Sequence, residues 1–337
     1  MIDFGKARVL VTGGAGFIGS ALVWELNRRG CERIIIADFL ETSEKWKNLV
    51  PLRFDDYVEA DQLLPALGGS LGRFDVILHM GACSATTERD AAYLVHNNYE
   101  YTKTLAAHAL STSTRFVYAS SAATYGDGSA GMRDSADLAN LTALRPLNMY
   151  GYSKQLFDVY AAKRGMLDRM VGLKFFNIFG PNEDHKGEMR SLVNKAYTQV
   201  LETGEIRLFR SYRPEYADGE QKRDFLYVKD AVNMTLHLAA TDGARGLFNI
   251  GSGEARTWLD LASAVFAALG KTPNVRFIDM PEELRGKYQY FTEADIARLR
   301  ETGYDAPVTP LADAVADYVR NYLVPGRHLG DAETPAP

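Results

Sequence analysis

The chain has 337 residues, 46% of them hydrophobic, and its 38 Lys and Arg against 43 Asp and Glu leave a formal net charge of −5. That length suits one large α/β unit or two domains, and the acidic balance gives no support to electrostatic capture of nucleic acid or an anionic membrane. The longest uncharged stretch, Val9 to Trp24, is interrupted by glycines and too short to span a bilayer, while Cys31 and Cys83 alone cannot build a disulfide framework or a cysteine-based zinc site.

Strand-like apolar runs lie at Ala7–Thr12, Arg33–Asp38, Phe74–Met80, Arg115–Ser120 and Met170–Phe176. Helical patterns at Gly16–Arg29, Thr87–Leu110 and Asn148–Lys163 separate them. Near-continuous apolar strands between helices predict a parallel sheet covered on both faces, a Rossmann-type doubly wound α/β fold. Beyond Gly180-Pro181 the pattern predicts a helix at Glu188–Thr203, a short strand at Arg207–Phe209 and a polar loop at Ser211–Lys222. A strand or turn at Phe225–Val228, a helix at Asp230–Ala240, a strand at Leu247–Ile250 and a helix at Trp258–Leu269 follow. The expected division is a dinucleotide-binding domain at 1–180 with later strands returning to it, a smaller interleaved C-terminal substrate lobe at 181–324, and a proline-bearing flexible tail at 325–337. The first residues lack the basic-then-apolar pattern of a secretory signal, so a cytoplasmic location is expected.

The run Val9–Gly19 reads as strand, glycine-rich turn and helix start, with glycines at Gly13, Gly16 and Gly19. The first permits the tight turn, the second lets backbone approach a pyrophosphate, and the third lets helix pack on strand. A helix N-terminus then offers free N–H groups and partial positive charge to phosphate. A glycine triplet alone is weak, since turns use glycine constantly. Here Asp38 ends the second strand at the distance where an acidic residue meets an adenosine ribose. The pattern therefore points to a nicotinamide dinucleotide.

Tyr150 and Lys154 stand four apart in a helical segment and share one face. A free phenol is a poor base at neutral pH, and a nearby ammonium together with an oxidised nicotinamide lowers its pKa. Lys154 is also placed to bond the nicotinamide ribose. Ser121 follows the strand at Arg115–Ser120, at the carboxyl edge where α/β sheets bind ligands, and can hold the substrate oxygen. A lone Tyr-x-x-x-Lys is common on solvated helix faces. The combination with the glycine loop and the strand-end serine is far more specific.

On Thr12–Gly19, Ser120–Gly126, Tyr150–Lys154, Asn177–Pro181 and Arg223–Asp230 the chain resembles the extended short-chain dehydrogenase/reductase family over nearly its whole length. The resemblance implies transient hydride transfer with NAD or NADP on a nucleotide-linked sugar. Dehydratases of that family carry an Asp-Glu pair after the strand-end residue, where this chain has Ala122-Ala123, so epimerase or reductase chemistry is implied. The runs His79–Glu88, Asn97–Tyr99, Pro146–Lys154, Gly180–Met189 and Gly286–Gln289 are similar to the branch that epimerises ADP-heptose at C-6 for lipopolysaccharide core synthesis.

That resemblance implies Tyr150 and Lys186 as the acid/base residues, supported by Ser121 and Lys154. It implies cofactor contacts at Gly13, Gly16, Phe17, Ile18, Gly19, Asp38, Phe39, Lys45, Met80, Gly81, Ala82, Cys83, Ser84, Asn97, Lys154 and Ile178. Substrate contacts are implied at Asn177, Phe209, Arg210, Ser211, Tyr212, Arg223 and Tyr288, and at the positions of Glu188 and Lys195, where the family places other substrate-contacting side chains. ADP-heptose is the expected substrate and a homo-oligomer the expected assembly. Two signals conflict over the cofactor: Asp38 favours the 2′-hydroxyl of NAD, whereas the resemblance implies NADP with Lys45 on the 2′-phosphate. NADP is expected, with NAD tolerated.

Blander readings stand beside these. Without the resemblance Lys186 is a solvated loop lysine; for Arg223 the bland reading is a structural ion pair with Asp224, and charge-assisted binding of a diphosphate is preferred because the site needs one cation outside the cofactor pocket. Cys83 reads as a small buried residue and His79 as a satisfied strand-end histidine. The histidines show no ligand spacing, so no metal is expected. Rival functions are a UDP-hexose 4-epimerase or reductase of the same family and a non-catalytic dinucleotide-binding regulator, which would have no need of Ser121, Tyr150 and Lys154.

Overall fold

A computed structural model describes residues 1–286 and 288–332. Chain order begins β1 (Val9–Thr12), α1 (Phe17–Arg28), β2 (Ile34–Asp38), β3 (Asp56–Glu59), α2 (Ala60–Leu67) and β4 (Val76–His79). It continues with α3 (Tyr101–Ser111), β5 (Arg115–Ser121), α4 (Met149–Lys163), β6 (Val171–Phe175), β7 (Asn177–Phe179), α5 (Leu192–Thr203), β8 (Ile206–Phe209) and β9 (Lys222–Tyr227). The remainder holds α6 (Val228–Ala240), β10 (Gly246–Ile250), β11 (Ala255–Thr257), α7 (Trp258–Ala268), β12 (Val275–Ile278) and α8 (Leu311–Tyr318).

Seven parallel strands form the main sheet in the order β10-β6-β5-β4-β1-β2-β3. The strand order reverses at β1, and β4 lies on its other side; this switch point is where such sheets bind ligands. Alternation along β1 sends Val9 and Val11 into one core and Leu10 into the other, so both faces are covered as the unbroken apolar runs require. β10 reaches this sheet from far along the chain and pairs with β6, Leu247 opposite Gly172. Two small sheets complete the fold: β7 and β11 flank β9, and β8 pairs with β12.

Several boundaries differ from expectation. The edge strand β3 and helix α2 were not anticipated, because Asp56–Glu59 is short, polar and only partly buried. The helix expected from Thr87 begins at Ala91, where the Asp90 carboxylate caps it by accepting from Tyr93 N at 2.9 Å. The helix expected from Glu188 starts only at Leu192, capped by Ser191. Asp184–Met189 is instead a 3-10 segment broken at Gly187, whose φ of 53° and ψ of −124° are not helical. The residues after 325 are not loose up to 332: Leu329 is buried, and its N–H donates to Asn182 Oδ1 at 2.9 Å. Residues 333–337 of the expected tail, and Lys287, lie outside the described residues. Among the described residues no helix is long and apolar enough to cross a membrane.

Candidate active site

The glycine loop joins β1 to α1 at the switch point. Gly13 has φ +67°, and a Cβ there would lie 2.6 Å from Gly81 N; a Cβ on Gly19 would lie 1.9 Å from Gly13 O. Both positions therefore exclude any larger residue. Gly16 is different: its added Cβ would meet only Gly13 O, at 3.2 Å, so it mainly fills cleft space. No side chain caps α1, leaving its first turn to a ligand or water. Such a cradle fits a dinucleotide pyrophosphate.

Asp38 is buried beneath the loop and already well occupied. Its Oδ2 accepts from Ala15 N at 2.9 Å and Gly16 N at 3.2 Å. Its Oδ1 accepts from Phe39 N at 2.8 Å and from Lys45 Nζ at 2.9 Å. The two arguments over the cofactor thus meet in one ion pair: Lys45 neutralises the carboxylate that would repel a 2′-phosphate. Lys47, the next lysine, pairs with Glu44.

One cleft of about 550 Å³ gathers Gly13, Gly16, Phe17, Ile18, Gly19, Asp38, Lys45, Met80, Gly81, Ala82, Ser84, Ser121, Tyr150, Asn177, Ile178 and Lys186. That size lies within the range of small-molecule sites. Cys83 and Asn97 are not among the lining residues; Asn98 Oδ1 accepts from Cys83 N and Asn97 Nδ2. Cys83 is half-buried rather than buried, and Phe39 is exposed and not a lining residue. His79 is satisfied as expected, its ring nitrogens 2.6 Å from Thr12 Oγ1 and 2.8 Å from Thr102 Oγ1. Burial, with the Lys154 charge second, lowers its pKa to about 3.

Asn148 caps α4 by accepting from Gly151 N at 2.8 Å, which starts the helix where Tyr150 sits in its first turn. Ser121 ends β5 and accepts from Ala123 N at 3.1 Å. Burial raises the Tyr150 pKa, while a hydrogen bond with Ser121 pulls it down. Lys154 lies buried one turn on and donates from Nζ to Ala119 O at 2.9 Å. Burial lowers its pKa to about 8 against the opposing pull of Asp158. The expected depression of Tyr150 rests on Lys154 together with an oxidised nicotinamide; among the protein's own groups burial prevails and the shift is upward.

Lys186 rides on the broken segment Asp184–Met189, half-buried, with Nζ 5.2 Å from the centre of the Phe17 ring. Burial lowers its pKa; Glu183 opposes the shift and Lys195 adds to it. This is no freely solvated lysine. Glu183 is itself fully buried and ties both ends of the segment, accepting from Gly180 N, Ser191 N and Ser191 Oγ.

The implied substrate contacts divide. Asn177 lines the cleft. Arg223 is 5% exposed and makes no ion pair with Asp224, which instead accepts from Ser252, Gly253 and Ala294. Its guanidinium lies 5.6 Å from the Trp258 ring and 5.0 Å from the Tyr288 ring. Tyr288 accepts from Trp258 Nε1 at 2.8 Å and meets Phe209 edge-on; since Trp258 lines the cleft, this group borders it. Arg210 pairs with Asp218 at 3.0 Å, Ser211 N donates to the same carboxylate at 2.7 Å, and Tyr212 donates to Asp279 at 3.1 Å. Glu188 is exposed and lies 3.6 Å from Lys195. None of these last five side chains lines the cleft.

Sequence reasoning missed several walls of the cleft: Phe175, His185, Phe225, Trp258 and Gln289. Their only signal was proximity to motifs, because they are brought in by strand ends and loops distant in sequence. Asn48 was missed as well. Its Nδ2 donates to Ala15 O at 2.9 Å and Asn182 O at 3.1 Å, joining the Lys45 turn, the glycine loop and the segment before Lys186.

The family described as "NAD dependent epimerase/dehydratase family" matches residues 9–251. A protein of Nitratidesulfovibrio vulgaris (strain DP4) named ADP-L-glycero-D-manno-heptose-6-epimerase is 56% identical over 316 residues, covering 93% of this chain and 97% of its own. One of the same name from Fusobacterium nucleatum is 46% identical over 324 residues, with 94% and 98% covered. The crystal structure of the Helicobacter pylori ADP-L-glycero-D-manno-heptose-6-epimerase superposes with a TM-score of 0.79 at 26% identity, over 95% of this chain and 97% of that one. A Bacillus cereus UDP-glucuronic acid 4-epimerase mutant, solved in complex with UDP-4-deoxy-4-fluoro-glucuronic acid and NAD, superposes with a TM-score of 0.76 at 25% identity, over 93% of this chain and 99% of that one.

Proposed function

The chain belongs to the NAD dependent epimerase/dehydratase family, and from that membership and the cleft we propose that it is an ADP-heptose 6-epimerase. It would interconvert ADP-D-glycero-D-manno-heptose and its L-glycero form, an isomerisation serving lipopolysaccharide core synthesis. The observation that carries the reading is the meeting of Ser121, Tyr150 and Lys186 in the cleft floored by the glycine loop. A nicotinamide dinucleotide held by the glycine loop, Asp38 and Lys154 would supply reversible hydride exchange at C-6 and, when oxidised, positive charge beside Tyr150.

The chain's own residues do the rest. Ser121 and Tyr150 hold the C-6 oxygen, and Tyr150 passes its proton. C-6 lies outside the pyranose ring, so turning about the C-5–C-6 bond presents its other face without releasing the nucleotide. The oxygen moves in that turn, and one tyrosine then serves one pose; Lys186, on a separate segment and with its pKa lowered, serves the other. Lys154 orients the nicotinamide ribose, and Arg223 within its aromatic shell meets the substrate's diphosphate. Ala122-Ala123 supply no acid for elimination, which favours epimerisation over dehydration.

We further propose NADP as the cofactor, with NAD tolerated: Lys45 cancels the Asp38 charge and stands ready for a 2′-phosphate. A cytoplasmic location and a homo-oligomer belong to the same reading; light scattering after size exclusion tests the assembly. Purified protein incubated separately with ADP-heptose and UDP-galactose, with products followed by NMR, decides the substrate. Inversion at C-6 of the heptose supports the proposal. Turnover of UDP-galactose alone would replace it with the 4-epimerase reading, and turnover of neither would favour the regulator.

A further inference from the structure

The residue one turn beyond Lys154 on the same face of α4 is Asp158, fully buried although charged. Its Oδ1 accepts from Tyr118 Oη at 2.9 Å, and its Oδ2 accepts from Ser120 Oγ at 2.7 Å. The same Oδ2 lies 2.8 Å from Lys174 Nζ, in an ion pair whose side chains are 0% and 1% exposed. Lys174, the last residue but one of β6, also donates to Thr124 Oγ1 at 2.7 Å and stands 5.0 Å from the Tyr125 ring. Tyr118 and Ser120 precede Ser121 on β5, and Thr124 follows it in the next turn. The pair therefore grips the chain on both sides of Ser121 and ties it to the helix carrying Tyr150 and Lys154.

Such a pair is a poor device for stability alone, because desolvation of both charges opposes their attraction, and apolar residues of similar volume often serve as well. What it supplies is geometry. We infer that Asp158 and Lys174 are a positioning pair for the reaction, holding the Ser121 strand end in register with the face of α4 that bears Tyr150 and Lys154. Neither residue touches the cleft, so both act through others. This inference rests on reading Ser121, Tyr150 and Lys154 as the reacting group of residues.

The test uses the double variant Asp158→Asn/Lys174→Gln, which removes both charges while keeping polar side chains, made in wild-type and Ser121→Ala backgrounds. Thermal unfolding, dinucleotide binding, kcat and KM for the nucleotide sugar are measured on each. Positioning predicts a folded protein that binds dinucleotide, with KM within about 3-fold and kcat lowered ~10-fold or more. In the Ser121→Ala background the same double change should cost little further, because its effect passes through Ser121. A folded double variant with kcat within 2-fold of wild type, or a loss repeated in full in the Ser121→Ala background, would overturn the inference. Where the double variant does not fold, Ser120→Ala decides, since it removes one bond to Asp158 and no charge. Its kcat should fall ~3-fold or more at unchanged KM, and an unaltered kcat defeats the positioning role. If Ser121→Ala itself turns over normally, the underlying assignment of Ser121 fails rather than the pair.

Discussion

Tyr150 and Lys186 lie in the same cleft on different elements, and both carry pKa values moved by burial, upward for the phenol and downward for the ammonium. A two-base mechanism predicts that Tyr150→Phe and Lys186→Met each lower kcat ~100-fold or more, while nucleotide-sugar binding stays nearly intact. Turnover and binding measured on the same preparations check this; a lysine variant near wild type would leave a one-base mechanism. His79 supports a separate prediction about stability. Its folded pKa of about 3 lies below the 6.5 of a free imidazole, so the unfolded chain binds the proton first as pH falls. The stabilisation of neutral His79 is complete above pH 6.5 and is lost progressively between there and about pH 3. The loss is on the order of 1 kcal/mol per pH unit from this one group. Denaturant unfolding at pH 7.5 and 5.0 should show His79→Gln less stable than wild type at the higher pH and less sensitive to acidification.

At the scale of elements, the strand–loop–helix unit at residues 9–28 tolerates no side chain at Gly13 or Gly19. A methyl group on Gly19 would fall on Gly13 O, a backbone atom that cannot step aside without moving the loop. Gly19→Ala should therefore cost at least ~10-fold in dinucleotide affinity or several degrees in unfolding temperature, read by cofactor titration and calorimetry. Gly16→Ala, whose added atom meets only cleft space and one oxygen at 3.2 Å, should leave the fold intact and weaken the cofactor alone. The segment at residues 180–191 shows the same dependence on long-range support. Gly187 breaks the helical run, and Glu183 closes its ends, so Lys186 is presented to the cleft rather than wound into α5.

Across the whole molecule, three distant stretches meet behind the cofactor side of the cleft. Asn48 bridges the glycine loop to Asn182, and Asn182 in turn accepts from Leu329 near the end of the described chain. The Lys45 turn is thus built into the body of the protein, and its ion pair with Asp38 bears on cofactor choice. Dinucleotide extracted from natively purified protein should carry the 2′-phosphate, and Lys45→Ala should weaken NADP ~10-fold or more while altering NAD binding much less. Extracted cofactor lacking that phosphate would reverse the assignment.

Periodicity and spacing made the doubly wound sheet, the glycine turn and the shared face of Tyr150 and Lys154 legible in the sequence, because each depends on residues within a few turns or one strand of each other. The start of α5 was misplaced, since one glycine's backbone angles outweighed a helical pattern. The edge strand β3 was missed because a short polar strand lacks an apolar signature. What only the tertiary structure decided is the company each charge keeps. Lys45 faces Asp38, Arg223 faces aromatic rings rather than Asp224, Lys186 is half-buried over Phe17, and Asp158 meets Lys174 in the dry interior. Except for Lys45 and Asp38, these partners are separated by many residues, and burial, which sets both pKa and strength of pairing, exists only once the sheet has brought them together.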